Sequence, residues 1–314
     1  MIDSDLGVYS DTLLALALAF GLDAKNEARV AALSVSRPDL SAAQFCESVR
    51  NFYSGLRGAA AVRMFGRALP VGMAEGPLVK PTPAFESVLA RKSADGQPVY
   101  GNNVVEVNDT AEPRALIRNA FTAQHDQNAI LILAGPATTL ARMMELPGVK
   151  QIVAAKVRYL VLAAGDFRSG RLDPRVEADP AALTRLLELW PGQVIAVGCE
   201  MNESLPLDQA ALETAWAWAT EHPIAEAWKQ SKPGEIRTRD TVALLHAGRR
   251  HEKYFAESEP GMIRVSGKGV TEFVPSTGGR HLRLSADTAQ LEKARAAAVD
   301  LIATKPTPRG PRRF

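Results

Sequence analysis

The sequence predicts an α/β fold: an open, mostly parallel sheet flanked by helices, with a small antiparallel meander near the C-terminus. Three observations lead there. Short apolar runs at residues 30–35, 129–133, 159–163 and 194–197 read as buried strands, and each has a helical apolar period before or after it, the alternation that builds a parallel sheet. The helical patterns themselves fall at residues 41–52, 112–122, 138–144, 180–189, 207–220 and 286–303. Last, the strand-like runs at 262–265, 270–274 and 281–284, separated by glycine-rich turns, read as the meander.

Taken in order, the chain opens on an acidic loop and an apolar stretch at 13–22 that is far too short to span a bilayer and follows acidic residues where a secretion signal has basic ones. It reads as a buried helix. Segments 69–101 and 229–239 lack a sustained period and are rich in Pro, Gly or charge, so long surface loops are expected there. Residues 1–304 are expected to form one α/β domain, and 305–314 a basic, proline-rich, disordered tail.

Composition narrows the function classes. With 37 Lys and Arg against 35 Asp and Glu, the net charge of +2 argues against nucleic acid or a membrane surface as partner. The two cysteines, Cys46 and Cys199, stand in neither a CxxC nor a Cys/His spacing, so neither a disulfide framework nor a zinc site is expected. A reduced, cytoplasmic setting fits the chain as given.

The chemistry concentrates at the start. Asp3, Asp5 and Asp11 put three carboxylates within nine positions, folded round Gly7 and leading into a helix, where they can converge on one hard cation or one sugar. The plainer alternative is a turn with an N-cap. Only Met1 and Ile2 precede this loop as strand, which leaves room for an upstream leader. Further along, Gly135-Pro136 with Thr138 marks a strand-to-helix turn, Glu200 follows an apolar run, and Asp240 precedes a helical pattern. His222, before a proline, reads as a loop histidine, and no pair of histidines has metal-ligand spacing.

In order along the chain, Asp3-Ser4-Asp5-Leu6-Gly7 with Asp11, Gly135-Pro136-Ala137-Thr138-Thr139-Leu140-Ala141, the strand ending Ala163-Ala164-Gly165, Asp179-Pro180-Ala181-Ala182, Val197-Gly198-Cys199-Glu200 and Arg237-Thr238-Arg239-Asp240 resemble the inosine-uridine preferring nucleoside hydrolases. The resemblance implies that family's fold, a small-molecule nucleoside or glycoside as substrate, and a homodimer or homotetramer. It also implies hydrolysis of an N-glycosidic bond by a calcium-bound water. Carried over by position, Asp5 is the general base, and Asp5, Thr12, the backbone carbonyl of Thr138 and Asp240 surround the metal, with Asp11 able to swing toward it. Asp11, Asp173, Arg175, Glu200 and Arg239 then face the substrate.

Three positions depart from the family pattern. Thr12 is neutral where the family has a carboxylate, Arg175 stands for an asparagine beside the sugar, and Arg239 replaces a histidine able to protonate the leaving base. An arginine is a permanent cation and a poor proton donor, which points to an anionic ligand. The departures also support an alternative: a catalytically degraded relative that binds a sugar or nucleoside, or serves as an assembly subunit, without turnover.

Overall fold

The computed structural model describes residues 1–55, 71–202, 204–231 and 236–307. In chain order these form β1 (Ile2–Ser4), α1 (Asp11–Ala24), β2 (Leu33–Val35), α2 (Leu40–Tyr53), β3 (Val71–Met73), α3 (Pro83–Leu89), α4 (Pro113–Thr122), β4 (Ala129–Ala134), α5 (Thr138–Met144), α6 (Val149–Lys156) and β5 (Val157–Leu162). There follow α7 (Pro174–Glu177), α8 (Pro180–Leu189), β6 (Gln193–Ala196), α9 (Gln209–Trp216), α10 (Pro223–Ser231), α11 (Arg239–Arg249), β7 (Ala256–Glu257), β8 (Gly261–Val265), β9 (Thr271–Pro275), β10 (His281–Ser285) and α12 (Thr288–Ile302).

The strands join in the order β3-β2-β1-β4-β5-β6-β10-β8-β9, with β7 on β10. Pairing is parallel from β3 to β6 and between β6 and β10, then antiparallel from β10 to β8 and β8 to β9. The chain winds outward from β1 to β3 and returns to β4. That reversal opens a crevice beyond the carboxyl ends of β1 and β4, the place where such sheets hold ligands.

Alternation along the strands sends Ile2, Leu33, Ile132, Val161 and Ile195 to one apolar layer with α1, α2 and α11. Leu131, Leu133, Leu160 and Val194 face the other, under α4, α5 and α8. Helix α1 is buried from Asp11 to Leu22, so its lack of an amphipathic stripe reflects neighbours on every side. One neighbour comes very close: a Cβ on Gly21 would stand 2.1 Å from the Leu301 carbonyl oxygen of α12.

The parallel sheet and flanking helices match the fold expected from the sequence, but several local expectations need correction. Segment 69–101 is not all loop. Val71–Met73 pairs in parallel with β2, and Pro83–Leu89 is helical after Thr82. A three-residue strand and a two-turn helix are too short to show a period, although Thr82-Pro83 carries the start signal of a proline in the first turn. Likewise Lys229–Ser231 ends α10 and Arg239 begins α11, leaving 232–235 outside the described residues. The expected meander is re-ordered, because β10 inserts between β6 and β8 and runs parallel to β6. Strand 30–35 contracts to Leu33–Val35, helix 207–220 contracts to Gln209–Trp216, and α6 was not foreseen. The expected disordered tail lies mostly at 308–314, outside the described residues.

Candidate functional site: a buried arginine between two aspartates

Five polypeptide segments meet beyond the carboxyl ends of β1, β4 and β5. Asp5 leaves β1, and its backbone N–H donates to the Ala134 carbonyl at the end of β4 at 3.0 Å. Gly135 permits this approach, since a Cβ there would stand 2.2 Å from Ser36 Oγ and 2.9 Å from the Asp5 nitrogen. From β5, the chain turns at Gly165 and reaches the short helix α7, whose N-cap is Asp173 and whose first residue is Pro174. That start aims the next side chain, Arg175, inward.

The guanidinium of Arg175 uses all five of its N–H donors. Nε donates to Asp5 Oδ2 at 2.9 Å and Nη2 to Asp5 Oδ1 at 2.7 Å. On the other side Nη1 donates to Asp240 Oδ1 at 2.6 Å and Nη2 to Asp240 Oδ2 at 2.8 Å. The fifth bond runs from Nη1 to the Ala163 carbonyl at 2.8 Å. Two bidentate carboxylates and a carbonyl thus satisfy one planar fork, the geometry to which arginine is suited. Neither Arg175 nor Asp240 has more than 1% of its side chain exposed.

The surrounding groups are equally committed. Thr12 donates from Oγ1 to Asp240 Oδ2 at 2.8 Å. Asp11 accepts from the backbone N–H of Asp240 at 2.6 Å and from the N–H and hydroxyl of Thr241 at 3.2 and 2.8 Å, so it caps the N-terminus of α11 from 229 residues away. Asp173 accepts from its own helix at the Arg175 N–H, from Gly165 N–H at 2.6 Å and from Arg239 Nη1 at 2.5 Å. Arg239 also points Nη1 at Cys199 Sγ, 3.2 Å away.

Electrostatics follow from one guanidinium lying between several acids. Burial works against the charge of Arg175, but Asp240 and Asp5 outweigh it and hold its pKa well above the ordinary value. Burial likewise disfavours an ionised Asp240, yet Arg175 wins and holds that carboxyl below the ordinary range. For Asp5 burial prevails over the pull of Arg175 and pushes the carboxyl up. Asp11 is pushed up to about 7 by burial and then by the charge of Asp240. Asp3, the first of the three carboxylates singled out from the sequence, is fully buried on β1, and burial pushes it up to about 7, outweighing the neighbouring Ser34 hydroxyl.

Asp5, Asp11, Thr12, Asp173, Arg175, Arg239 and Asp240 therefore come together in one cluster. The Thr138 hydroxyl donates to Asp179 Oδ2 at 2.8 Å, joining the starts of α5 and α8, which leaves its backbone carbonyl as the group the resemblance would use. Glu200 lies beside the cluster, with Oε2 accepting from Phe167 N–H and Oε1 buried without a partner. His222 is in the core, where its Nδ1 accepts from Ala225 N–H and its Nε2 meets the Tyr53 hydroxyl. Two residues not singled out from sequence face the cluster's outer side. The half-buried Tyr9 ring lies 5.1 Å from the Arg175 guanidinium and 5.6 Å from that of exposed Arg237. Position alone, between Gly7 and Asp11, was the available signal for Tyr9.

A calcium ion asks for roughly six to eight oxygen ligands. These residues do not fit one as they stand, because the facing oxygens of Asp5 and Asp240 and the Ala163 carbonyl already accept from Arg175. Among the described residues there is no group of three or more His, Cys, Asp or Glu able to hold a metal elsewhere. No helix among them is long and apolar enough to cross a membrane.

Known structures share this architecture over nearly the whole chain. The inosine-uridine preferring nucleoside hydrolase of Bacillus anthracis superposes with a TM-score of 0.63 at 16% identity, covering 96% of this chain and 98% of the other. The plant nucleoside hydrolase PpNRh1 gives 0.65 at 17% identity, covering 96% and 98%. The type III effector XopQ, solved in complex with adenosine diphosphate ribose, gives 0.63 at 12% identity, covering 98% and 93%. No family model and no curated protein matches the sequence. The chain has the nucleoside hydrolase fold, in strongly divergent form.

Proposed function

We propose that this protein binds a nucleoside- or sugar-type ligand at the carboxyl ends of its parallel strands without hydrolysing it. One observation carries the reading: both oxygens of Asp5, the residue expected to serve as general base, are engaged by the buried Arg175 guanidinium. With 3% of its surface exposed and both oxygens accepting from the guanidinium, Asp5 is closed off from bulk water. At the position the resemblance gives to the leaving-group acid, Arg239 is a permanent cation held by Asp173 and a poor proton donor.

The ligand would meet the cluster where its side chains reach the surface, at half-buried Tyr9 and exposed Arg237. There the exposed Arg237 guanidinium lies over the Tyr9 ring, and its swing away on binding would offer a planar base the ring and an anionic group the cation. Adenosine diphosphate ribose, bound by a protein of the same fold, is therefore a fitting probe alongside inosine, uridine and ribose.

Calcium-dependent hydrolysis of an N-glycosidic bond is the competing reading. A nucleoside panel assayed with calcium and with chelator decides between them: the expected result is no base release in either condition. Thermal-shift titration should meanwhile show stabilisation by at least one probe, lost in Tyr9→Ala. Base release that Asp5→Ala abolishes would reject non-hydrolytic binding, and the absence of any stabilising probe would reject ligand recognition.

A further inference from the structure

We infer that Arg175 is a built-in substitute for a divalent cation, so that the wild-type chain takes up no metal ion at Asp5 and Asp240, while removal of the guanidinium opens a cation site there. The acceptor set is the argument. Four carboxylate oxygens and a backbone carbonyl converge from β1, from the end of β5 and from α11, the oxygen-only surroundings that a hard cation takes. All five donors of the fork are matched to them, which leaves an incoming ion no vacant oxygen on the inner faces.

Displacement is costly from both directions. The side chain has 1% of its surface exposed, and releasing it would strand a charged group in the interior unless it found an equal set of acceptors. Thr12 donates a neutral hydroxyl hydrogen bond to Asp240, so this position adds no further negative charge to two carboxylates that already outnumber the one guanidinium between them. The acids stay assembled because the arginine is part of the chain and cannot diffuse away, so the cluster is insensitive to chelation.

This inference stands apart from ligand binding, and its test reads metal alone. Terbium luminescence and calcium-dependent melting are measured on the full chain as wild type and as Arg175→Ala, with Arg175→Ala/Thr12→Asp as a second variant that restores a carboxylate. Wild type should show no sensitised luminescence and no calcium-dependent change in melting temperature. At least one variant should bind terbium, compete it off with calcium, and gain several degrees in melting temperature or require calcium to fold. Wild-type binding that Asp5→Asn abolishes would overturn the inference. So would two variants that respond to neither ion, whether they fold or fail to fold at every calcium concentration. Failure of every nucleoside probe to bind, with these metal results as expected, would sink only the proposed function.

Discussion

Helix α11 carries arginine–carboxylate pairs at both ends, and the two ends differ in everything except hydrogen-bond geometry. At the N-terminal end Asp240 is held by Arg175 and Arg239 by Asp173, with side chains no more than 6% exposed. At the C-terminal end Arg249 is bidentate to Glu27 at 2.6 and 2.7 Å, and Arg250 to Glu257 at the same distances, but these side chains are 14–33% exposed. Water screens the second set and competes for its donors. The first set has no such recourse, so its geometry must be complete or the fold loses the desolvation cost of each charge. Similar distances therefore do not mean similar energies.

The contrast can be broken first at its strongest point. Arg175→Met leaves Asp5 and Asp240 buried without their cation and is expected to cost about 3–5 kcal/mol in urea unfolding. Adding Asp5→Asn and Asp240→Asn to that variant should recover much of the loss, because the buried charges are gone. A triple variant no more stable than the single would show that packing, not charge, sets the penalty.

Next comes Asp3, buried like the cluster but with no cation among the groups that set its charge. Its carboxyl keeps a proton up to about pH 7 in the fold but releases it near 3.8 when unfolded. Between those values the folded state binds more protons, so stability falls as pH rises through the window and the full penalty applies above it. Asp3→Asn should flatten that fall, with a gain at pH 8 relative to pH 4 on the order of 3 kcal/mol, read from urea midpoints across pH. Asp11, also pushed up to about 7, contributes with the same sign and leaves part of the slope.

The smallest effect belongs to the exposed end. Glu27→Gln should cost about 0–1 kcal/mol, and the difference from wild type should shrink further in high salt. A loss comparable to that of Arg175→Met would erase the distinction between the two ends of α11.

Much of the frame was legible in the sequence because strands buried on both faces leave continuous apolar runs, as at β4, β5 and β6. Elements of a few residues, such as β3 and α3, were not, since they depend on neighbours: Val71–Met73 is a strand because β2 lies beside it. At the site, the ordered motifs brought Asp5, Asp11 and Asp240 into one account, and the structure does gather them. The fate of Arg175 was hidden. Its sequence position suggested a cation turned toward an anionic ligand, whereas the anions it meets are the protein's own. No periodicity encodes how far a long side chain reaches or which of two carboxylates it will bridge.

The complete enclosure of α1 bears on how the cluster can move. Asp11 and Thr12 sit on the first turn of a helix wedged between the sheet, α11 and α12, with Gly21 allowing backbone-to-backbone proximity at its far end. Amide protons of this helix should therefore exchange with deuterium only through global opening, at the slowest rates in the molecule. Asp11 and Thr12 therefore stand on a fixed post, with these anchor points already in their final positions before the rest of the cluster packs against them.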